Sequence, residues 1–125
     1  RAYDISHIVN CAEELKHLEK RYDPNISWLW LPIYDSEYNG DIKEHVEQAI
    51  KFIDDALKNG HKVLVHCAAG VSRSGTIVIA YIMYKQRITF DAAFQYVRKT
   101  RPCVRPNASF RQELRSIDFS TMFRL

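Results

Sequence analysis

Three short apolar runs, separated by stretches with helical spacing, restrict this chain to few architectures. "DISHIVNC" (4 to 11), "ISWLWLPIY" (26 to 34) and "KVLVHC" (62 to 67) are bounded by polar or proline-containing segments and read as strands. A weak helical pattern covers 12 to 21 and a strong one covers 41 to 60. In the strong one Ile42, Val46, Ala49, Ile50, Ile53 and Leu57 fall on one stripe. Asp41 stands at its N-cap position and Gly60 at its C-cap. Three further helices are predicted: about 73 to 87, about 90 to 100 with Thr89 as N-cap, and from Asn107 onward, where Phe110, Leu114 and Ile117 share a face. Strand and helix alternate, so the fold class is α/β with a mainly parallel central sheet flanked by helices. The second run is apolar on both faces, as in a parallel strand covered by helices on each side. Three strands make a thin sheet and the sequence opens directly on one, so an N-terminal hairpin is expected to be missing or to lie outside this chain.

At 125 residues the chain is read as one domain, 1–125. It has no run of eighteen apolar residues, so no transmembrane helix and no membrane partner are expected. No signal-peptide or lipidation pattern stands at either end. Three scattered cysteines argue against a secreted disulfide framework and for a reducing compartment, cytosol or nucleus. No Cys-x-x-Cys pair or histidine cluster suggests a metal. The net charge of +3 suits anionic substrates and is too small to argue for nucleic acid. The basic residues are locally concentrated: "VRKTRPCVRPN" (97 to 107) carries Arg98, Lys99, Arg101 and Arg105 and no acid. Cys103, within it, is read as incidental.

Ligands of parallel α/β sheets bind beyond the carboxyl ends of the strands, and Cys67 falls at such an end. After it, Ala68, Ala69, Gly70, Val71 and Ser72 lead to Arg73 at a helix start. A short loop feeding a helix gathers backbone N–H groups at the positive end of the helix dipole, an anion cradle. A thiol at its rim is favoured as a thiolate nucleophile. Arg73 supplies a planar fork that can grip two phosphate oxygens. Cleaving a phosphate ester also needs an acid for the leaving oxygen, and Asp35, Glu37 and Asp41 are the candidates in the loop after the second strand.

His66, Cys67, Arg73 and Ser74 form His-Cys-x5-Arg-Ser, which resembles the signature of cysteine-dependent protein tyrosine phosphatases; "GVSRSGT" resembles the dual-specificity branch. "ISHIVNCAEEL", "LPIYDSEYNGDI", "AIKFID", "AYIM" and "RPCVRPNASFRQEL" resemble dual-specificity segments in the same order, over nearly the whole chain. The resemblance implies a tyrosine-phosphatase-like fold and a two-step reaction through a phosphocysteine on Cys67, with no cofactor or metal. It implies Asp35 as general acid and later base, since Asp35 matches the family position in "PIYD". Arg73 and the backbone of residues 68–73 bind the phosphate. By the same resemblance Ser74 stabilises Cys67 as a leaving thiolate and Asn107 ties the last helix to the loop. His66 braces the loop rather than touching substrate.

The expected partner is a phosphorylated protein bearing phosphotyrosine, phosphoserine or phosphothreonine. The uncharged Ala68, Ala69 and Val71 weaken a lipid-phosphatase reading. Phosphoinositide, RNA 5′-phosphate or glucan phosphate as substrate, or a phosphopeptide-binding module, stay as alternatives. The resemblance places Arg101 near a second phosphate; pairing with surface acids is the other reading. Cys11 ends the strand expected beside that of Cys67, within disulfide reach. It is either a redox partner of Cys67 or simply a small buried residue.

Overall fold

A computed structural model describes residues 5–34, 42–68 and 72–123. The three apolar runs form strands β1 (Ile5–Asn10), β2 (Ser27–Trp30) and β3 (Lys62–His66), all parallel, in the order β2-β1-β3. Register aligns Asn10 with both Trp30 and His66. The three strands therefore end at one level, where a parallel sheet collects its functional loops.

The side chains alternate across the sheet. Val9, Leu29, Val63 and Val65 point into the main core with the helices. The opposite face carries Trp28 and Leu64, which are 44% and 42% exposed. β2 is thus an edge strand that is not covered on both faces, contrary to the reading of its apolar run. Trp30 is covered locally: its Nε1 donates to Ala12 O at 2.8 Å and Lys16 lies over its ring. Residues Glu13–Arg21, expected as a weak helix, form 3-10 turns with non-helical geometry at Leu15 and bury no side chain.

Four α-helices follow: α1 (Lys43–Lys58), α2 (Ser72–Gln86), α3 (Phe90–Thr100) and α4 (Ala108–Ser116). Helix α2 buries residues all round, as a central helix must. Its close packing needs Gly75, because a Cβ there would stand 2.7 Å from Val104 Cγ1. The other helices are amphipathic and surround it. Thr89 Oγ1 accepts from Ala92 N at α3, and Asn107 Oδ1 accepts from Phe110 N at α4; each such cap contributes about 1 kcal/mol. Phe110 and Leu114 are fully buried. Gly60, at φ +77°, closes α1 in the left-handed region.

Two expectations for α1 change. Asp41 lies outside the described residues, and the N-cap position is Ile42, whose N–H is taken by Glu113 Oε1 of α4 at 2.8 Å. Leu57 is 45% exposed, while Asp54 is buried on the inner face. Asp54 accepts from Tyr81 Oη at 3.0 Å and Lys85 Nζ at 3.1 Å of α2, and pairs with Lys58. Burial acts to raise its pKa, but the bonds from Lys85, Lys58 and Tyr81 outweigh burial and hold the carboxyl below its ordinary value. Tyr81 is pushed up to about 12, by burial first and by Asp54 second.

A carboxyl with a depressed native pKa stabilises the fold above its unfolded pKa and loses that contribution as pH falls through the native one. Asp54→Asn is expected to lower stability by about 1–3 kcal/mol at pH 7. In urea titrations the gap to the wild type should close below about pH 3–4; a gap that stays constant with pH would contradict this role.

Candidate active site

β3 delivers Cys67 immediately beyond its last residue, on the core side of the sheet, facing the first turn of α2. Cys67 Sγ lies 3.4 Å from Ser74 Oγ. The thiol donates to that hydroxyl, and a thiolate in its place would accept from it. Ala69, Gly70 and Val71 lie outside the described residues, as do Asp35 and Glu37. Ala68 and Ser72 stand at either end of the loop. Ser72 accepts from Thr76 Oγ1 through its carbonyl, at 2.6 Å, and from Asn107 N through its hydroxyl, at 3.1 Å. Asn107 thus caps α4 and also fixes the start of α2.

Arg73 is only 4% exposed. Its Nη1 donates to Glu14 Oε1 at 2.8 Å and to Ile33 O at 3.0 Å, and its Nη2 donates to Glu14 Oε2 at 2.9 Å. The pair is bidentate, the strongest geometry open to a guanidinium and a carboxylate. The Arg73 hydrogen bonds pull the Glu14 carboxyl down to about 2. With the Nη1–Nη2 edge taken by Glu14, the edge that can grip a phosphate is Nε–Nη2.

Glu14 is the site residue that sequence reading missed. In "CAEELKHLEKR" it looks like one charge of a solvated helical face. The usable signal was its position, three residues beyond the Cys11 that ends the central strand. Asn10 sets the turn that carries it: Oδ1 accepts from Ala12 N at 3.1 Å and Nδ2 donates to Leu15 O at 2.8 Å. Ile33 O accepts from Glu13 N as well as from Arg73, so the segment after β2 is bound to the same arginine. Asp35 follows two residues later.

Cys11 is fully buried and follows directly on the Asn10–His66 register, with its N–H bonded to His66 O at 2.8 Å. It therefore lies beside Cys67 with its side chain on the same face. Burial pushes its thiol up, the neighbouring Cys67 adds to this, and Arg73 partly offsets it. His66 points to the other face, where its Nε2 lies 3.3 Å from Tyr22 Oη. Its pKa is lowered by burial, with a backbone bond to Cys67 acting the other way. Arg101 is exposed at the C-terminal end of α3 and borders a cavity of about 160 Å³ with Ser74, Gly75 and Val104. Cys103 is exposed. Among the described residues no group of His, Cys, Asp and Glu has the arrangement of a metal site.

Residues 1–118 match the family model "Dual specificity phosphatase, catalytic domain". The chain is 41% identical over 112 residues to the putative tyrosine phosphatase 123R of Invertebrate iridescent virus 6, covering 90% of this chain and 74% of that protein. It is 38% identical over 125 residues to the dual specificity protein phosphatase Mpk3 of Drosophila melanogaster, covering all of this chain and 29% of that one. A probable rhodanese domain-containing dual specificity protein phosphatase of Dictyostelium discoideum is 40% identical over 115 residues, covering 89% of this chain and 22% of that protein. The crystal structure of DUSP15 superposes with a TM-score of 0.80 at 35% identity, covering 89% of this chain and 68% of that one. A thiol beyond the end of a parallel strand and a buried, carboxylate-held arginine thus occur within a sequence and a fold that both match one family, and the chain belongs to the dual specificity phosphatases.

Proposed function

We propose that this domain hydrolyses phosphotyrosine and phosphoserine or phosphothreonine esters on proteins through a phosphocysteine on Cys67. The observation that carries this reading is Arg73, buried and gripped by Glu14 on one edge, placed six residues after a thiol that faces Ser74. An arginine held this way is preorganised for an oxyanion and loses little entropy on binding it. Cys67 attacks phosphorus in line with the leaving oxygen, which Asp35 protonates. Asp35 then takes a proton from water, the water attacks phosphorus, and Cys67 leaves as a thiolate that accepts the Ser74 hydroxyl proton in a hydrogen bond. Arg73 and the loop amides hold the equatorial oxygens in both steps. Arg101, which borders a cavity with Ser74, is proposed to meet a second phosphate on the same substrate.

Cys67→Ser should abolish turnover while the protein still binds inorganic phosphate, and EDTA should leave the wild-type rate as it was. Asp35→Ala should slow phosphothreonine peptides more than aryl phosphates, whose leaving groups need less protonation. Turnover that survives Cys67→Ser would overturn the reading.

Glu14 acts on Arg73 and not on substrate. Glu14→Gln should lower kcat/KM for aryl phosphates by about 10- to 100-fold, the range expected when a catalytic group shifts by about 1 Å. Phosphate affinity should fall with it, because the same fork binds the ground state. A loss of thermal stability with normal kinetics would show Glu14 to be structural only.

Cys11 is assigned as the resolving thiol of an oxidised Cys67. Peroxide converts the Cys67 thiolate to a sulfenic acid and releases hydroxide. The Cys11 sulfur then attacks the sulfenic sulfur, the S–O bond breaks, and the thiol proton leaves with that oxygen as water. Mass spectrometry after mild peroxide should find a Cys11–Cys67 disulfide; sulfinic acid at Cys67 with Cys11 still reduced would contradict it.

A further inference from the structure

Arg98 and Arg111 lie on different helices, α3 and α4, yet both meet one ring. The Arg98 Cζ is 5.4 Å and the Arg111 Cζ 5.8 Å from the centroid of Phe94. Phe94 is itself stacked on Phe90 at 5.5 Å. Each arginine is fixed a second time through its Nε: Arg98 donates to Pro102 O at 3.3 Å and Arg111 to Pro106 O at 2.9 Å. Both carbonyls belong to the loop between α3 and α4. A ring contact and a backbone bond together hold each guanidinium in place before anything binds it.

Among the described residues the two cations are also not neutralised. The acids on these helices are Asp91, which is paired to Arg115 at 2.8 Å, and Glu113, which is engaged by Ile42 N. Among the described residues no acid forms an ion pair with Arg98 or Arg111. Arg101 and Arg105, both exposed, add charge to the same loop. The loop is joined to the phosphate-binding turn: Pro106, which accepts from Arg111, is followed by Asn107, whose N–H donates to Ser72 Oγ. One peptide unit therefore separates the Arg111 contact from the start of α2.

We propose that Arg98 and Arg111, set on Phe94, form a docking site for an acidic segment of the polypeptide substrate, flanking the phosphorylated residue. The two Cζ atoms, each within 6 Å of one centroid, are at most about 12 Å apart. Acidic side chains two residues apart in an extended peptide share a face and, at about 3.3 Å per residue, fall within that limit. The site rests on the phosphatase reading for its substrate, but it deepens that reading by naming which sequences around the phosphoresidue are preferred. Each partly exposed pair contributes a few tenths to 1 kcal/mol, so two pairs give a preference of roughly threefold to thirtyfold.

The test compares two phosphotyrosine peptides that differ only in an Asp/Glu pair or an Asn/Gln pair beside the phosphotyrosine. An aryl phosphate that cannot reach the site reads the chemistry separately. The wild type should favour the acidic peptide in kcat/KM by roughly threefold to thirtyfold at low salt, with the preference shrinking as salt rises. In Arg98→Gln/Arg111→Gln the ratio between peptides should fall to about one. Arg98→Gln alone, at an exposed position, should remove about half of the preference on a logarithmic scale. Fluorescence anisotropy of the same peptides on Cys67→Ser protein reads the difference as binding, even if neither peptide is turned over. No preference in the wild type, or a preference that survives the double substitution, would overturn the site. So would parallel losses on both peptides and aryl phosphate, which would make Arg111 a loop support. Loss of binding to phosphoinositide vesicles with the peptide ratio intact would assign the cations to a membrane surface instead.

Discussion

A guanidinium buried in a fold has to be gripped by an acid that can reach it. Here the grip is Glu14, and much of the local structure is arranged to bring it to Arg73. Glu14 comes from the turn after the central strand, Arg73 from the second residue of α2, and the shared acceptor Ile33 O from the segment after β2. Three chain segments distant in sequence thus converge on one side chain. A lysine could not replace it, since an ammonium lacks the planar fork that serves two carboxylate oxygens and a carbonyl at once.

The parallel sheet makes the convergence possible. Because β1, β2 and β3 end at the same level, the residues immediately after them, Cys11, Leu31 and Cys67, become neighbours. Leu31 N–H donates to Asn10 O and Cys11 N–H to His66 O, which extends the ladder one step past the strands. The same extension that delivers Cys67 to Ser74 sets Cys11 beside it. On the far side, α4 is tied back to the loop by Asn107, and Gly75 allows α2 to approach Val104. The placing of the thiol, the arginine and the supporting loop is therefore a consequence of strand register and of one close helix contact.

Legibility in the sequence follows from how local each feature is. The strand–turn–helix carrying Cys67 and Arg73 is written within a few residues, so its spacing and residue types sufficed to place it. The helices and the caps Thr89 and Asn107 were legible for the same reason. Glu14 was not, because its partner is 59 positions away and an acid in "AEEL" has the look of a surface residue. Hydropathy marked Trp28 and Leu57 as interior, but it does not record which strand is at an edge or which turn of a helix reaches past its neighbour. Asp54 stands outside the apolar stripe of α1, and it is buried because Tyr81 and Lys85, on another helix, satisfy it.

The account stands most directly on phosphate passing through Cys67. Wild-type protein turning over an aryl phosphate can be quenched in acid within the first turnovers, digested, and its peptides weighed by mass spectrometry. The account predicts one phosphate on the peptide that carries Cys67, lost once substrate is exhausted and absent from Cys67→Ser. Turnover in which phosphate is found on another residue, or never on Cys67, would contradict it.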